Sequence, residues 1–280
     1  MTRVLIVANE TLGGAKLLES IQAHAGEDSH FFICVPRGQP RHGNLIYDDA
    51  VFDAAQIRVD LARMFLREQS IDARGEVGDP DPYSATMDAV AEFRPDEIII
   101  STHPTTTSGW MRRGLVDRIS DATGLPVEHV VIDLEQEGLP FSVTLVVANR
   151  TASDEALVSH LKAKATDGEH LFVVIVPQEG GGATAVHAAR GRLGQVLDVL
   201  KAQGLLSAGM IADPDPYTAI MNSLSFFRID EIVISTLPAT RSGWLRADLV
   251  ERVRRSTACP VEHVVADGEP AAVTPAPASG

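Results

Sequence analysis

A long internal repeat constrains this chain more than any other feature of its sequence. "GDPDPYSATMDAVAEFRPDEIIISTHP" (78–104) matches "ADPDPYTAIMNSLSFFRIDEIVISTLP" (212–238) at an offset of 134 residues. "PVEHVV" occurs at 126–131 and again at 260–265, at the same offset. This period is several times longer than the roughly 20–50 residues of solenoid and propeller repeats. The sequence therefore predicts a duplicated domain.

The front of each copy aligns at a slightly different offset. "VLIVAN" (4–9) matches "TLVVAN" (144–149), 140 residues later, so the first copy has about six extra residues between its second and third strands. We assign 1–135 and 142–267 to the two domains. The tail at 268–280 is rich in Pro, Ala and Gly and is predicted to be disordered, because such a composition buries too little apolar surface to fold.

Both copies alternate buried strands with helices. In the first copy, strands are predicted at 4–8, 31–35, 71–77, 97–101 and 127–132, separated by stretches with apolar residues at helical spacing. Strands that are apolar along their whole length are typical of a parallel sheet covered on both faces. With right-handed crossovers, the pattern predicts two tandem, doubly wound α/β domains.

The composition argues against several kinds of partner. The formal net charge is −14 at pH 7, which disfavours nucleic acid and anionic membrane surfaces, because both attract basic faces. No stretch approaches the ~18 consecutive apolar residues of a transmembrane helix. "MTRVLIVANE" is interpreted as a first strand and not as a signal peptide. Cys34 and Cys259 lack metal-type spacing and are interpreted as buried thiols in a reducing cytosol, which predicts a cytoplasmic protein.

A loop rich in hydroxyl groups follows the fourth strand of each copy. The two loops are "STHPTTTSGW" (101–110) and "STLPATRSGW" (235–244), with arginines within or after them. Hydroxyl and guanidinium groups can bind phosphate or carboxylate, and the alternative is a hydrogen-bonded connection that caps the next helix. The candidate ligand-binding residues here are Ser101, Thr102, Thr105, Thr106, Thr107, Ser108, Arg112, Arg113 and Gly114 in the first copy, and Ser235, Thr236, Thr240, Arg241 and Ser242 in the second.

The order of elements, the copy length of about 135 residues and these loops resemble the universal stress protein family, in tandem form and over nearly the whole chain. "CPVEHVV" (259–265) is also similar to the family's entry into its fifth strand. The resemblance implies a Rossmann-like, adenine-nucleotide alpha-hydrolase-like fold with five parallel strands in the order 3-2-1-4-5. It also implies ATP or a related nucleotide such as AMP as a ligand, since many members bind one and others bind none.

The family's ATP-binding signature, Gly-x2-Gly-x9-Gly-Ser/Thr, is degenerate in both copies. Its positions hold one glycine in the first copy and none in the second, the residues being Ser101, Pro104, Gly114 and Leu115, and Ser235, Pro238, Asp248 and Leu249. Glycine lets backbone amides close on a phosphate and proline removes an amide donor, so we expect the usual phosphate cradle to be absent. Asp248 puts a carboxylate where the family holds phosphate, which makes the first copy the better candidate.

The expected position of a ligand is set by the strand order. In an open parallel sheet, ligands bind at the carboxyl ends of the strands where the order reverses, here between strands one and four. Asn9 and Asn149 end the first strand of each copy, where the resembled family often has an aspartate near the nucleoside. Both are therefore added to the candidate ligand-binding residues.

Three smaller motifs have structural interpretations. Asp81 and Asp215 in the repeated "DPDPY" are predicted N-caps, each followed by proline at the first helical position. Trp110 and Trp244 are expected to pack the loop against its domain, with stacking on a base as the alternative. The repeated "PVEHVV" lies on an edge strand, and through it we expect the two copies to pack as an intramolecular pseudo-dimer, with homodimerisation left open.

Taken together, these features predict a cytoplasmic, non-catalytic tandem protein that senses or sequesters a small ligand, either an adenine nucleotide or another anion. The alternative is an interaction or structural module that binds no nucleotide and acts through protein partners. A nucleotide-hydrolysing or adenylyl-transferring enzyme would need a positioned base or metal carboxylate. The sequence has no Ser-His-Asp order, no Cys/His pairing and no metal spacing, so we predict no catalytic or metal-binding residues.

Overall fold

The computed structural model describes residues 2–26, 28–38, 48–104, 109–112, 114–152, 154–180, 182–238 and 248–266. The elements of the first half are β1 (Thr2–Val7), α1 (Ala15–His24), β2 (Ser29–Pro36), α2 (Asp48–Glu68), β3 (Ala73–Gly78), α3 (Pro82–Phe93), β4 (Glu97–Thr102), α4 (Gly109–Arg112), α5 (Leu115–Thr123), β5 (Val127–Val131) and α6 (Leu134–Glu137). Those of the second half are β6 (Ser142–Val147), α7 (Glu155–Ala165), β7 (His170–Pro177), α8 (Ala183–Ala202), β8 (Leu206–Ala212), α9 (Pro216–Phe226), β9 (Glu231–Thr236), α10 (Leu249–Ser256) and β10 (Val261–Val265).

Each half forms one five-stranded parallel sheet. The strand order is β3-β2-β1-β4-β5 in the first and β8-β7-β6-β9-β10 in the second, and every neighbouring pair is parallel. The predicted doubly wound α/β fold is confirmed, and the Rossmann-like order 3-2-1-4-5 occurs twice, as expected of a tandem universal stress protein. The strands lie within the predicted domains 1–135 and 142–267, and the tail predicted at 268–280 lies outside the described residues.

The inner strands of each sheet are buried on both faces because they are apolar along most of their length. All four residues from Val4 to Val7 in β1 are fully buried. Helices α1 and α2 cover one face of the first sheet, and α3 and α5 cover the other. In the second sheet, α7 and α8 cover one face, and α9 and α10 lie on the opposite face.

Two helices begin at the caps that the sequence predicts. The Asp81 carboxylate accepts a hydrogen bond from the backbone N–H of Ser84 at 3.1 Å, and Pro82 opens α3. At the equivalent position in the second half, the Asp215 carboxylate accepts from the N–H of Thr218 at 3.0 Å. The interpretation of both "DPDPY" motifs as N-caps is confirmed.

Helix α2 lies between the two sheets and contributes to both cores. It packs on β8 of the second sheet and on β2 and β3 of the first. Its two buried faces are Val51, Ala54, Ile57 and Leu61, which join the core of the second sheet, and Ala55, Val59, Phe65 and Leu66, which join the core of the first. A helix that the repeat assigns to the first domain therefore completes the cover of the second.

The two fifth strands, through which we expected the copies to pack, belong to separate sheets and do not pair with each other in the described residues. Among the described residues, β5 packs on β4, α1 and α5, while β10 packs on β9, α7 and α10. The charged side chains of these strands bond to helices of their own half: Glu128 accepts from the Ser20 hydroxyl at 2.7 Å, and Glu262 accepts from Lys164 at 2.8 Å. Helix α2 provides the main contact between the halves instead.

None of the helices in the described ranges is both long enough and apolar enough to cross a bilayer.

We expect Ile57→Ala to lower the free energy of unfolding by about 2–5 kcal/mol, because it leaves a cavity in the core that α2 shares with the second sheet. Ile57 is 1% exposed. The matched control is Phe52→Ala in the same helix, since Phe52 is 42% exposed and should cost less than about 1 kcal/mol. Urea denaturation of both variants checks the prediction, and equal losses would contradict it.

Candidate functional site

In the first sheet, the two hydroxyl groups at the end of β4 form hydrogen bonds with neighbouring residues. The Ser101 hydroxyl donates a hydrogen bond to Thr11 Oγ1 at 2.9 Å, and both side chains are buried. The Thr102 hydroxyl donates to the carbonyl of His103 at 3.0 Å and bonds Nε2 of His129 at 2.9 Å. These bonds join β4 to the loop after β1 and to β5, which matches the interpretation of a hydrogen-bonded connection.

Of the other first-copy candidates, the structure describes Asn9 in full and Arg112 by its backbone only. The Asn9 side-chain amide donates to the Pro36 carbonyl at 3.0 Å, and its buried Oδ1 has no hydrogen-bond partner in the described ranges. Arg112 is the last residue of α4, but its side chain is not described. The candidates that lie outside the described residues are Thr105, Thr106, Thr107, Ser108 and Arg113.

Gly114 and its counterpart Asp248 share a left-handed backbone conformation before the following helix. Gly114 precedes α5 with φ 59°, and Asp248 precedes α10 with φ 53°. A Cβ added at Gly114 would meet no atom within 4 Å. Glycine and aspartate are among the residues that tolerate this conformation, so the position is explained by the backbone turn without a ligand.

In the second sheet, the equivalent polar atoms are left without partners. Ser235 and Thr151 correspond to Ser101 and Thr11, and their hydroxyl oxygens are buried with no hydrogen-bond partner among the described residues. Oδ1 of Asn149 is in the same state. Only the Thr236 hydroxyl repeats the first-copy contact, with Nε2 of His263 at 2.8 Å. The structure thus gathers three unpaired polar atoms at the carboxyl ends of β6 and β9.

Sequence reasoning missed Thr151 as a member of this group. Thr11 and Thr151 occupy the same place in "NETL" and "NRTA", two residues after the paired asparagines. That recurrence was the available signal. The remaining second-copy candidates, Thr240, Arg241 and Ser242, lie outside the described residues.

A charged group borders these atoms. Arg150 and Glu179 form a two-point ion pair, with Nε to Oε1 at 2.8 Å and Nη2 to Oε2 at 3.2 Å. The hydrogen bond from Arg150 lowers the pKa of Glu179, and the positive charge of Arg192 lowers it further from a longer distance. The amide of Asn149 also donates to Glu179 at 3.4 Å. Nε and Nη2 of Arg192, on α8, are buried and have no hydrogen-bond partner among the residues that the structure describes.

Other predicted features have structural explanations. Trp110 is half-buried and packs against the core between α3 and α5, which confirms the packing interpretation, while Trp244 lies outside the described residues. Cys34 is buried, and burial raises the pKa of its thiol to about 12, which removes the thiolate a nucleophile would need. Within the described ranges, no three His, Cys, Asp or Glu side chains are grouped as metal ligands would be.

A separate cavity of about 730 Å³ lies between the two halves. Its walls include Asn9 and His103 from the first sheet's loops, Arg58 and Phe65 from α2, and Phe226 from the end of α9. No sequence pattern indicated it, because its walls come from both copies.

No family model matches this sequence, and no curated protein sequence matches it. A solved universal stress protein from Archaeoglobus fulgidus DSM 4304 is similar over 95% of this chain and 97% of its own, with 17% identity and a TM-score of 0.36. CobK precorrin-6A reductase is similar over 97% of this chain and 91% of its own, with 13% identity and a TM-score of 0.24. A multidomain structure of a keto acid-selecting NRPS module is similar over 84% of this chain and 26% of its own, with 10% identity and a TM-score of 0.22. At these TM-scores none of the likenesses supports a conclusion about this chain's function.

The two threonine–histidine contacts predict a pH dependence of stability. Burial lowers the pKa of His129 and of His263 below the ordinary value of 6.5. The unfolded chain therefore binds protons more readily than the folded one, so stability should fall as the pH drops through 6.5 towards the lower folded pKa. In a variant carrying His129→Gln and His263→Gln, urea denaturation from pH 7.5 to 5.5 should show a shallower loss. An unchanged slope would contradict the prediction.

The left-handed turn before α5 predicts that a side chain at Gly114 lowers the stability of the folded protein through backbone strain alone. Gly114→Ala should destabilise the protein by about 1–2 kcal/mol, because alanine is strained at a positive φ although space is free. Gly191→Ala is the matched control: Gly191 lies inside α8, a Cβ there also meets no atom within 4 Å, and alanine should stabilise the helix by about 0.5–1 kcal/mol. Thermal unfolding checks the prediction: the melting temperature should fall in Gly114→Ala and rise in Gly191→Ala.

Proposed function

We propose that this chain is a tandem universal-stress-type protein that binds a small ligand at the carboxyl edge of its second sheet and does not transform it. The strand order 3-2-1-4-5 in both halves and the sequence resemblance support the first part of the proposal. The proposed ligand site lies where the strand order of the second sheet reverses. This position supports the ligand-binding part of the proposal, because open parallel sheets bind ligands there. We keep the expectation that the protein is cytoplasmic.

The observation that carries the proposal is the group formed by Asn149 Oδ1, Thr151 Oγ1 and Ser235 Oγ. Within the part of the chain that the structure describes, all three atoms are buried without a hydrogen-bond partner. A buried polar group left unpaired costs about 1–3 kcal/mol, and such groups are rare unless water, an ion or a ligand satisfies them. The first sheet shows the alternative, since Thr11 and Ser101 bond each other. These contacts favour the second copy over the first, the reverse of the preference from the sequence.

The unpaired atoms indicate which ligand groups would fit. An amide oxygen accepts only, and a hydroxyl accepts or donates, so the ligand should present N–H or O–H groups. The unpaired N–H groups of Arg192 supply a donor for an anionic part of the ligand. A nucleoside monophosphate such as AMP carries both kinds of group. Asp248 at the degenerate signature position disfavours a long phosphate chain, so we expect AMP or adenosine to bind more tightly than ATP.

A second candidate function, binding of a protein partner, is favoured by the sheet edges. Val131 and Val265 end β5 and β10 at equivalent repeat positions and are 40% and 41% exposed. Each strand is the last in its sheet, and an open edge can pair with another chain. This candidate includes homodimerisation and requires no nucleotide.

The Thr11 hydroxyl is hydrogen-bonded and the Thr151 hydroxyl is not, so replacing each threonine by valine should affect stability differently. Thr151→Val removes an unpaired buried hydroxyl and should leave the stability of the ligand-free protein equal or higher. Thr11→Val leaves the Ser101 hydroxyl without its partner and should cost about 1–3 kcal/mol. Urea denaturation of ligand-stripped protein compares the two. An equal loss in both variants would show that Thr151 has a partner and would remove the main support for the site.

Ligand binding is then tested by thermal unfolding with adenosine, AMP and ATP. A ligand at a hundred times its dissociation constant should stabilise the protein by about 2.7 kcal/mol. Thr151→Val should weaken binding by about threefold to tenfold, the worth of one hydrogen bond, whereas Thr11→Val should leave the affinity unchanged. No shift with any of the three at millimolar concentration, together with a dimer in light scattering, would favour the partner-binding function.

A further inference from the structure

The cavity between the two halves is a separate feature from the site at β6 and β9. It measures about 730 Å³, within the roughly 300–1,000 Å³ typical of small-molecule sites. Its walls are mostly apolar and come from both halves, including Leu61 and Phe65 of α2, Phe141 of the connection and Leu171 and Phe226 of the second half. The rings of Phe65 and Phe141 lie 5.2 Å apart.

A guanidinium group lines this apolar cavity. Arg58, on α2, donates through Nη2 to the backbone carbonyl of Phe226, and its guanidinium carbon lies 5.3 Å from the centre of the Phe227 ring. Among the described residues, no carboxylate forms an ion pair with it. Burial lowers the pKa of Arg58 to about 10, a sign of its incomplete solvation, although Glu10 acts on it favourably at longer range.

A second guanidinium makes the reciprocal contact. Arg228 of the second half donates through Nη1 to the carbonyl of Leu134 in α6 at 2.5 Å, while Arg58 of the first half donates to the second. Both arginines line the cavity. Each guanidinium has five N–H donors, so one carbonyl leaves most of the donors of Arg58 for another acceptor.

The acidic residues of the walls are engaged elsewhere. Glu10 pairs with His103 at 3.0 Å. Asp133 accepts hydrogen bonds from the backbone N–H groups of Glu135 and Gln136 and caps α6. Glu135 is exposed at the rim. Among the described residues, none of the three forms an ion pair with Arg58, so the charge of this guanidinium has no carboxylate in direct contact inside the cavity.

We propose that this cavity binds a small amphipathic carboxylate, with its apolar body between the phenylalanine and leucine side chains and its carboxylate on Arg58. A carboxylate matches the planar fork of a guanidinium and can accept two of its hydrogen bonds. A purely apolar ligand would leave the guanidinium without this acceptor. The site uses none of the unpaired atoms of β6 and β9, so it stands independently of the proposed nucleotide site.

Such a ligand would hold the two halves together. Its contacts would include α2 of the first half and the end of α9 in the second. A ligand that binds only the assembled form stabilises that form by mass action. Binding should therefore raise the temperature at which the whole chain unfolds.

The test compares octanoate with octanol, which share the apolar chain and differ in charge, by isothermal titration calorimetry on delipidated full-length protein. Octanoate should bind at least about tenfold more tightly, because a charge-assisted hydrogen bond replaces a neutral one. Arg58→Met should reduce this ratio to within about twofold by removing the guanidinium while keeping an apolar side chain of similar length. Arg58→Lys should retain part of the preference, since it keeps the charge and loses the fork.

Arg63→Met is the matched control. Arg63 lies on the same helix and donates to a backbone carbonyl, that of Ala73 at 3.0 Å, but it does not line the cavity. It should leave the octanoate-to-octanol ratio unchanged. The proposal is overturned if the wild-type protein binds neither ligand at millimolar concentration or binds both equally. It is also overturned if the preference persists in Arg58→Met or is lost equally in Arg63→Met. The comparison within wild-type protein decides the matter even if Arg58→Met does not fold.

Discussion

The burial of α2 between the two sheets is the interaction on which the rest of this structure depends. Each half is a complete parallel sheet in its strand order, but the second sheet is not covered by its own helices alone. Val51, Ala54 and Ile57 of α2 take part in its core. Because the removal of apolar surface from water is the dominant favourable term in folding, this shared helix joins two repeats that could otherwise have been separate domains. The cavity between the halves borders the same helix.

The two copies have the same fold and different polar chemistry at the same place. Thr11 and Ser101 satisfy each other in the first sheet, while Thr151 and Ser235 do not in the second. A duplicated fold permits this divergence, since the strands and caps carry stability in each copy and the loops at the carboxyl edge can vary. Gly114 and Asp248 occupy equivalent repeat positions and adopt the same left-handed turn.

Local features were predictable from the sequence, and features that depend on pairing were not. Asp81 and Asp215 bond to N–H groups three residues away, so their cap function could be read from neighbouring residues. The hydroxyls of Ser101 and Ser235 were equally visible, but a sequence cannot tell which of them finds a partner. A related reason applies to the fifth strands, which do not pair with each other in the described residues. Glu128 and Glu262 bond to helices of their own half, and those bonds join residues about a hundred positions apart.

The sequence by itself determined the duplication, the order of strands and helices, the buried faces and the helix caps. These follow from the period of apolar residues and from side chains that act on their near neighbours. The tertiary structure alone decided that α2 serves both sheets, that the second copy holds the unpaired hydroxyls, and that Arg58 lines an apolar cavity. Arg58 meets the carbonyl of Phe226 across 168 residues of chain. Contacts of that kind depend on how two sheets pack, which no local pattern of residues encodes.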